Sequence, residues 1–360
     1  MHAAAPATVA SSDLTMKPER LYALDLLRFI AAMAVVAVHW CFVDTHMQPF
    51  MKIEAAKYGL FGVHLFFMIS GFVILMSAQG QDVRSFIVAR IIRLYPAFWI
   101  CCTISALFVL ITGDPLLGWA EYLGNMMMFA DPRAAPYIND AYWSLVVEAK
   151  FYLLITVLLL FGALHRIELV MWGWLMIAAV PSSVLMRDLL VAHYAPYFAA
   201  GCACYLVGQH ATWARWALLL AAWIVAMKET AREVLQQQHV ADTFTSCLLV
   251  TVFFMILLAV SKRWLVLPAW RGIATLGAIS YPIYLLHQRI AIEMGWTTDN
   301  AALLLVAFAW IIVLSWVVHV WGEIPLQRWL KGKFKQGQGL DSTQMVAPAP
   351  QPTAPSSSSP

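Results

Sequence analysis

Apolar residues run along this chain in long blocks, and the polar stretches between the blocks carry most of the charges. A helix rising 1.5 Å per residue needs about 20 apolar residues to cross a hydrocarbon core. Ten blocks approach or meet that length: 23–43, 59–78, 96–112, 142–162, 168–186, 190–209, 212–228, 242–260, 272–293 and 301–322. Segment 118–130, ending in Met126, Met127, Met128 and Phe129, is too short to span and reads as interfacial. Two-residue alternation is absent and the runs are too long for strands. The pattern predicts an all-α membrane protein, a polytopic bundle of about ten transmembrane helices.

Composition sharpens that picture. The chain is 62% hydrophobic and 12% charged, with a mean hydropathy of +0.73, whereas soluble domains carry roughly 45–50% apolar and about 25% charged residues. The bilayer is the solvent that fits. A net charge of +3 without a basic run gives no footing for nucleic acid. Lys and Arg favour the loops on the side of the termini by roughly two to one, which predicts cytoplasmic termini and an outer loop 113–141. Residues 1–20 lack an apolar signal core, so the first block is expected to be retained after a polar cytoplasmic N-terminal segment. Residues 336–360, rich in Pro, Ser, Gln and Ala, read as a disordered cytoplasmic tail. The membrane domain is then 21–335. Six cysteines lie mostly inside apolar blocks without metal-ligand spacing and read as small buried hydrophobes.

Ionisable groups inside the hydrocarbon region are costly and suggest function. Arg28 and His39 share a face of the first span, three turns and about 16 Å apart by helical rise, with Asp25 one turn below Arg28. Arg28 reads as near the cytoplasmic side and His39 as near the outer surface. Snorkelling and interhelical hydrogen bonding are the ordinary alternatives for the two. Glu148, about 8 Å into the fourth span by the same rise, is expected near the depth of His39, with Lys150 pointing elsewhere. His64 and His287 are expected in the same outer half. An imidazole beside a carboxylate suits general-base chemistry, and equally a proton relay in a transporter. On the cytoplasmic side Arg90 and Arg93, at i and i+3, share a helix face that suits phosphate oxygens or simple positive-inside anchoring. Glu323 closes the last span and is a candidate partner for one of those arginines. No metal site is indicated, because His39, His64 and His287 lie on different helices.

Six segments in order resemble the acyltransferase-3 family of membrane acyltransferases over roughly 20–335. They are Leu24–Arg28 through His39, Gly62–Phe72, the Arg90/Arg93 segment, Trp143–Glu148, Ile279–His287, and Glu323 with Pro325. The resemblance implies about ten helices in a bacterial inner (plasma) membrane. It implies transfer of an acyl group, usually acetyl, from cytoplasmic acyl-CoA to a hydroxyl of a cell-surface or exported glycan. It maps family residues onto Arg28, His39 and Glu148, and associates Arg90 and Arg93 with the acyl donor. Where the family often has Asp in the second-span motif, this chain has His64. The family includes members without a fused extracellular domain, and this chain is expected to be one of them.

The mechanism expected from these readings docks CoA phosphates on Arg90 and Arg93. His39 is the general base, Glu148 orients it or binds acceptor, and Arg28 holds the donor or stabilises developing charge. Trp143, Ser144, His64, Tyr281 and His287 are candidate substrate-binding residues. Acetyl-CoA is a co-substrate, with no cofactor bound permanently. The partners are acyl-CoA, a sugar or polysaccharide acceptor and the lipid bilayer. The rival readings are a proton-coupled transporter, a membrane partner or sensor, and an acyltransferase using succinyl-CoA or a cytoplasmic acceptor.

Overall fold

The computed structural model describes residues 21–42, 52–112, 118–128, 137–180, 184–236, 241–294 and 300–344, which are helical with short connections. In order they form α1 (Tyr22–Cys41), a 3-10 turn at Glu54–Phe61, α2 (Gly62–Ala78), α3 (Val83–Thr112), α4 (Trp119–Met126), α5 (Trp143–Leu160), α6 (Ile167–Ala179), α7 (Val184–Leu189), α8 (Ala195–Gln209), α9 (Trp213–Gln236), α10 (Thr243–Ser261), α11 (Arg271–Met294), α12 (Ala301–Val317), a π-helical stretch at Val318–Glu323, and α13 (Ile324–Gln344). Among them six stretches are long and apolar enough to cross a membrane: Tyr22–Cys41, Glu54–Ala78, Val83–Ile111, Asp140–Leu160, Thr243–Ser261 and Ala301–Phe334.

Each apolar block has its helix, but several boundaries move. The block at 96–112 belongs to a helix that starts at Val83 and runs through Pro96. The block at 168–186 is divided between α6 and α7, with 181–183 outside the described residues. The block at 190–209 yields a helix only from Ala195, with Pro196 in its first turn, where a missing N–H costs nothing. Helix α9 continues past 228 to Gln236 and so carries Glu229 and Glu233. Segment 118–130 contains the eight-residue α4, with Trp119 and Leu123 exposed. After α12 the backbone widens into the π-helical stretch just before Pro325. Proline lacks the donor for the carbonyl four residues back, and a wider turn absorbs that missing bond. Helix α13 extends to Gln344, into the segment expected to be a disordered tail. Residues 345–360 and the expected N-terminal segment 1–20 lie outside the described residues.

Two apolar cores share the bundle. One joins α2, α5, α6, α8, α9 and α10; the other joins α3, α11 and α12 with the far face of α1. Phe66 and Tyr152 pack against both. Helix α8 is buried from Ala195 through Val207. Its approach to α2 is so close that a Cβ on Gly201 would overlap the Met68 carbonyl oxygen, and one on Gly71 would overlap that of Phe198. Helices α1 and α11 are similarly close, and a Cβ on Gly277 would run into Asp25. All six cysteines are free, and only Cys247 is not fully buried.

Candidate active site

The two cores leave a cavity of about 500 Å³ between them. Asp25 and Arg28 of α1 line it, with Val63–Ile74 of α2, Ala89–Leu94 of α3, Ser144–Tyr152 of α5, Gly277–Tyr284 of α11, and Gln327 and Lys331 of α13. Along α2 the lining runs from Val63 to Ile74, about 16 Å by helical rise. One end therefore meets the first turns of α2 and α5. The other meets the start of α3 and the last helix.

Charge gathers at the α3–α13 end. Arg28 lies 3.8 Å from Asp25 one turn away and also feels the charges of Glu148 and Arg93. Arg90 donates to Ser77 Oγ at 3.1 Å and packs over the rings of Phe86 and Tyr152. Its Nε is buried without a hydrogen-bond partner. Arg93 instead faces Glu323 at 3.6 Å. Glu323 is fully buried and is held by His319 Nδ1 at 2.7 Å and by Gln327 Nε2 at 2.8 Å. The sequence pairing of Glu323 with one arginine is thus with Arg93. The π-helical stretch holds His319 against the carboxylate of Glu323, four residues on.

The opposite end is closed by hydroxyls. Ser144 Oγ and Tyr284 Oη share a hydrogen bond at 2.6 Å, and the carbonyl of Ala141, 3.0 and 3.1 Å from them, accepts from whichever hydroxyl does not donate across that contact. The turn that starts α5 is pinned to α11, because Asn139 Nδ2 donates to Leu285 O at 2.7 Å. Tyr281 also lines the cavity, and its hydroxyl is buried without a hydrogen-bond partner.

His39 and His287 do converge, as the sequence suggested, with ring centroids 5.1 Å apart. Trp40 Nε1 locks α1 to α11 beside them by donating to His287 O at 3.0 Å. His287 is fully buried, its Nδ1 is 2.7 Å from Tyr284 O, and its Nε2 has no hydrogen-bond partner. The pair is not part of the cavity lining. Tyr284, whose ring is 5.6 Å from that of His287, stands between.

Glu148 and His64 part from that pair. The Glu148 carboxylate accepts from Ser70 Oγ at 2.6 Å and Tyr152 Oη at 2.7 Å, inside the cavity, and not from His39. Helical rise from the start of α5 could not reveal this, because it gives depth and not azimuth. Lys150 does point elsewhere, to the carbonyl of Asp188. His64 packs against Phe61 and Tyr197, and its Nε2 lies 2.9 Å from Glu233 of α9. Beside it, buried Glu229 gathers Arg187, His193, Lys228 and Arg232. Trp143 is about one-third exposed and packs tilted against Tyr194 and edge-on to Phe67. Sequence reasoning did not identify Ser70, Tyr152, Tyr284, Gln327, Lys331 or Glu233. The first three are ordinary residues of apolar helices, and only packing gives them a partner.

A family described as acyltransferase domain matches residues 21–320. Acyltransferase MdmB of Streptomyces mycarofaciens is 29% identical over 147 residues, 37% of this chain and 38% of that protein. Nodulation protein 10 of Rhizobium leguminosarum bv. viciae is 28% identical over 159 residues, 38% of this chain and 43% of its own length. Peptidoglycan O-acetyltransferase OatA of Listeria monocytogenes is 26% identical over 153 residues, 36% of this chain and 23% of that protein. The alignments thus span less than half the length of these relatives. No solved structure matches the chain.

Proposed function

The chain belongs to the acyltransferase-3 family, and from that premise we propose that it transfers an acyl group, acetyl in the first instance, from cytoplasmic acyl-CoA to a sugar hydroxyl of a cell-surface or exported glycan. The observation that carries the reading is the cavity between the two cores, cationic at one end and lined by hydroxyls at the other. A CoA thioester has this polarity: phosphates at one end, and at the other a carbonyl that develops negative charge on attack. In this reading all ten blocks lie in a bacterial inner membrane with both termini cytoplasmic, which sets the α3–α13 end of the cavity toward the CoA pool.

Arg90 takes donor phosphate, with Arg93 held beside it by Glu323. Arg28 is balanced by Asp25 and Glu148 and fixes the pantetheine arm or the acyl carbonyl. The thioester lies under Ser144 and Tyr284. Swinging the Tyr284 ring aside from Ser144 exposes the acyl carbon to the side occupied by His287 and His39. His39 takes the proton of the acceptor hydroxyl as its oxygen attacks the carbonyl carbon. The hydroxyl of Ser144, freed from Tyr284, donates to the oxyanion. The C–S bond breaks, the ester forms, and the CoA thiolate leaves with the proton returned by His39. His287 holds its Nδ1 proton on a carbonyl, so it presents a neutral Nε2 face toward His39. Glu148 keeps Ser70, Tyr152 and Arg28 in register, and acceptor orientation falls to Trp143 and the outer turn.

Membranes containing wild type or His39→Ala, supplied with radiolabelled acetyl-CoA, test the scheme. Base-labile label in a glycan fraction from wild type alone supports it. Equal labelling by a well-inserted His39→Ala variant removes His39 from the chemistry. Absence of label in both, across several acceptors, refutes acetyl transfer to glycan.

A further inference from the structure

The arginines at the mouth of the cavity are not equally available. Arg93 is committed to the fully buried Glu323, and Arg28 sits against Asp25. Arg90 makes no ion pair among the described residues; its polar partner is the neutral Ser77 hydroxyl. One further cation lines the cavity: Lys331, two turns beyond Glu323 on α13. It is exposed and makes no ion pair or hydrogen bond among the described residues. Gln327, one turn before it, lines the same wall and is already engaged with Glu323. The lining thus has four cations, Arg28, Arg90, Arg93 and Lys331, of which two have no carboxylate of their own among the described residues.

We infer that Lys331 is a donor-binding residue that meets the last phosphate of acyl-CoA to reach the protein, the 3′-phosphate of its adenosine. The inference rests on the reading of this cavity as the acyl-CoA site. A thioester that enters acyl end first leaves its nucleotide at the mouth. Arg90 is half-buried, with its guanidinium held between two aromatic rings and Ser77, so it suits the diphosphate that follows the pantetheine arm. Lys331 stands at the exposed edge of the same cavity. Its flexible ammonium is a point charge suited to a phosphate monoester that still touches water. The paired arginines that the sequence singles out are therefore split in role. Arg90 binds, Arg93 is positioned by Glu323 to shape the wall, and the second free charge comes from the last helix.

Equilibrium binding of radiolabelled acetyl-CoA and acetyl-dephospho-CoA to the purified full chain tests this without an acceptor. Wild type should bind acetyl-CoA about tenfold more tightly than the dephospho form, as a charge-assisted phosphate contact at a partly wet site allows. Lys331→Ala should lose that preference by weakening acetyl-CoA alone, with acetyl-dephospho-CoA unchanged. Arg90→Ala should weaken both forms and keep the preference. A preference that survives Lys331→Ala, or a wild type that does not distinguish the two thioesters, overturns the role of Lys331 while leaving the donor site standing. A wild type that binds neither thioester overturns the donor site and the role of Lys331 with it. Because Lys331 is exposed and has no partner among the described residues, its removal should leave the melting temperature unchanged, which separates lost binding from lost fold.

Discussion

Removing the Glu323 carboxylate tests the wall of the cavity most directly. The side chain is fully buried and takes hydrogen bonds from His319 and Gln327, with Arg93 at 3.6 Å. Glu323→Ala leaves two donors without their acceptor and the guanidinium without its counter-charge. A hydrogen bond to a charged group contributes about 1.5–3 kcal/mol, and deleting one partner of a fully buried ion pair costs about 3–5 kcal/mol. The side chain of Arg93 is 39% exposed, so water takes over part of the lost interaction. His319 and Gln327 are themselves only partly buried, so water recovers about half of each hydrogen bond; a loss of about 2–3 kcal/mol follows, or a fall of about 5 °C in melting temperature. The assay is thermal unfolding of the purified protein in detergent, with Glu323→Gln, Arg93→Ala and the double variant alongside. Glu323→Gln keeps an acceptor and should lose about half as much. In the double-variant cycle the Arg93–Glu323 coupling should be about 1 kcal/mol or less, because that pair is half in water. A Glu323→Ala variant that melts within a degree of wild type would refute the assignment of this carboxylate as the anchor of the wall.

Other consequences are open to the same kind of measurement. His64→Asp sets a carboxylate opposite Glu233 where an imidazole stood at 2.9 Å. It should lower the melting temperature, and adding Glu233→Lys should recover most of the loss; recovery without the second change would dissociate His64 from α9. Gly201→Val forces the crossing of α8 and α2 apart and should cost several kcal/mol, about that of an overpacked core, with poor yield of folded protein in size-exclusion chromatography as the readout. Asp82 accepts a hydrogen bond from Ser85 N at 3.0 Å ahead of α3. The Ser85 side chain first, then its backbone N–H, holds its pKa below the ordinary carboxylate value of 3.8. A lowered folded pKa gives stability that is present above the ordinary value and lost as pH falls through the folded one. Asp82→Ala should therefore melt below wild type near neutral pH, and the gap should close in acid; a gap that persists at the lowest pH would contradict the capping role.

The sequence pattern carried the helices well because lipid enforces one simple rule, about 20 apolar residues per crossing. It carried their ends less well. Helix α9 runs two turns past Lys228 because Glu229 and Glu233 find Arg187 and His64 on other helices and His193 in the turn before α8, and no local signal announces such partners. The same limit applied at the candidate site. Spacing along the first span and along Arg90–Arg93 located residues on their own helices, and Arg28, Arg90 and Arg93 do line one cavity. Depth along separate helices was enough to bring His39 to His287 but not to tell Glu148 from His64, since each faces a different neighbour. Lys331 was read as one more positive charge near the last span, and only the return of α13 against α3 made it part of a wall.

The burial of α8 bears on how such a chain can be made. At fifteen residues it rises only about 22 Å, less than the hydrocarbon core it would have to cross alone. Its middle is built of small residues, Ala199 to Cys204, for contact with other helices, and its close crossing with α2 has no room for lipid. While the chain is being synthesised, α8 emerges before α9 and α10, which complete its shell. During that interval it is a poor match for the bilayer and has only part of its final surroundings. Biogenesis therefore has a vulnerable stage near residue 210, at which a stalled or truncated chain should be a target for membrane quality control rather than a partly built bundle.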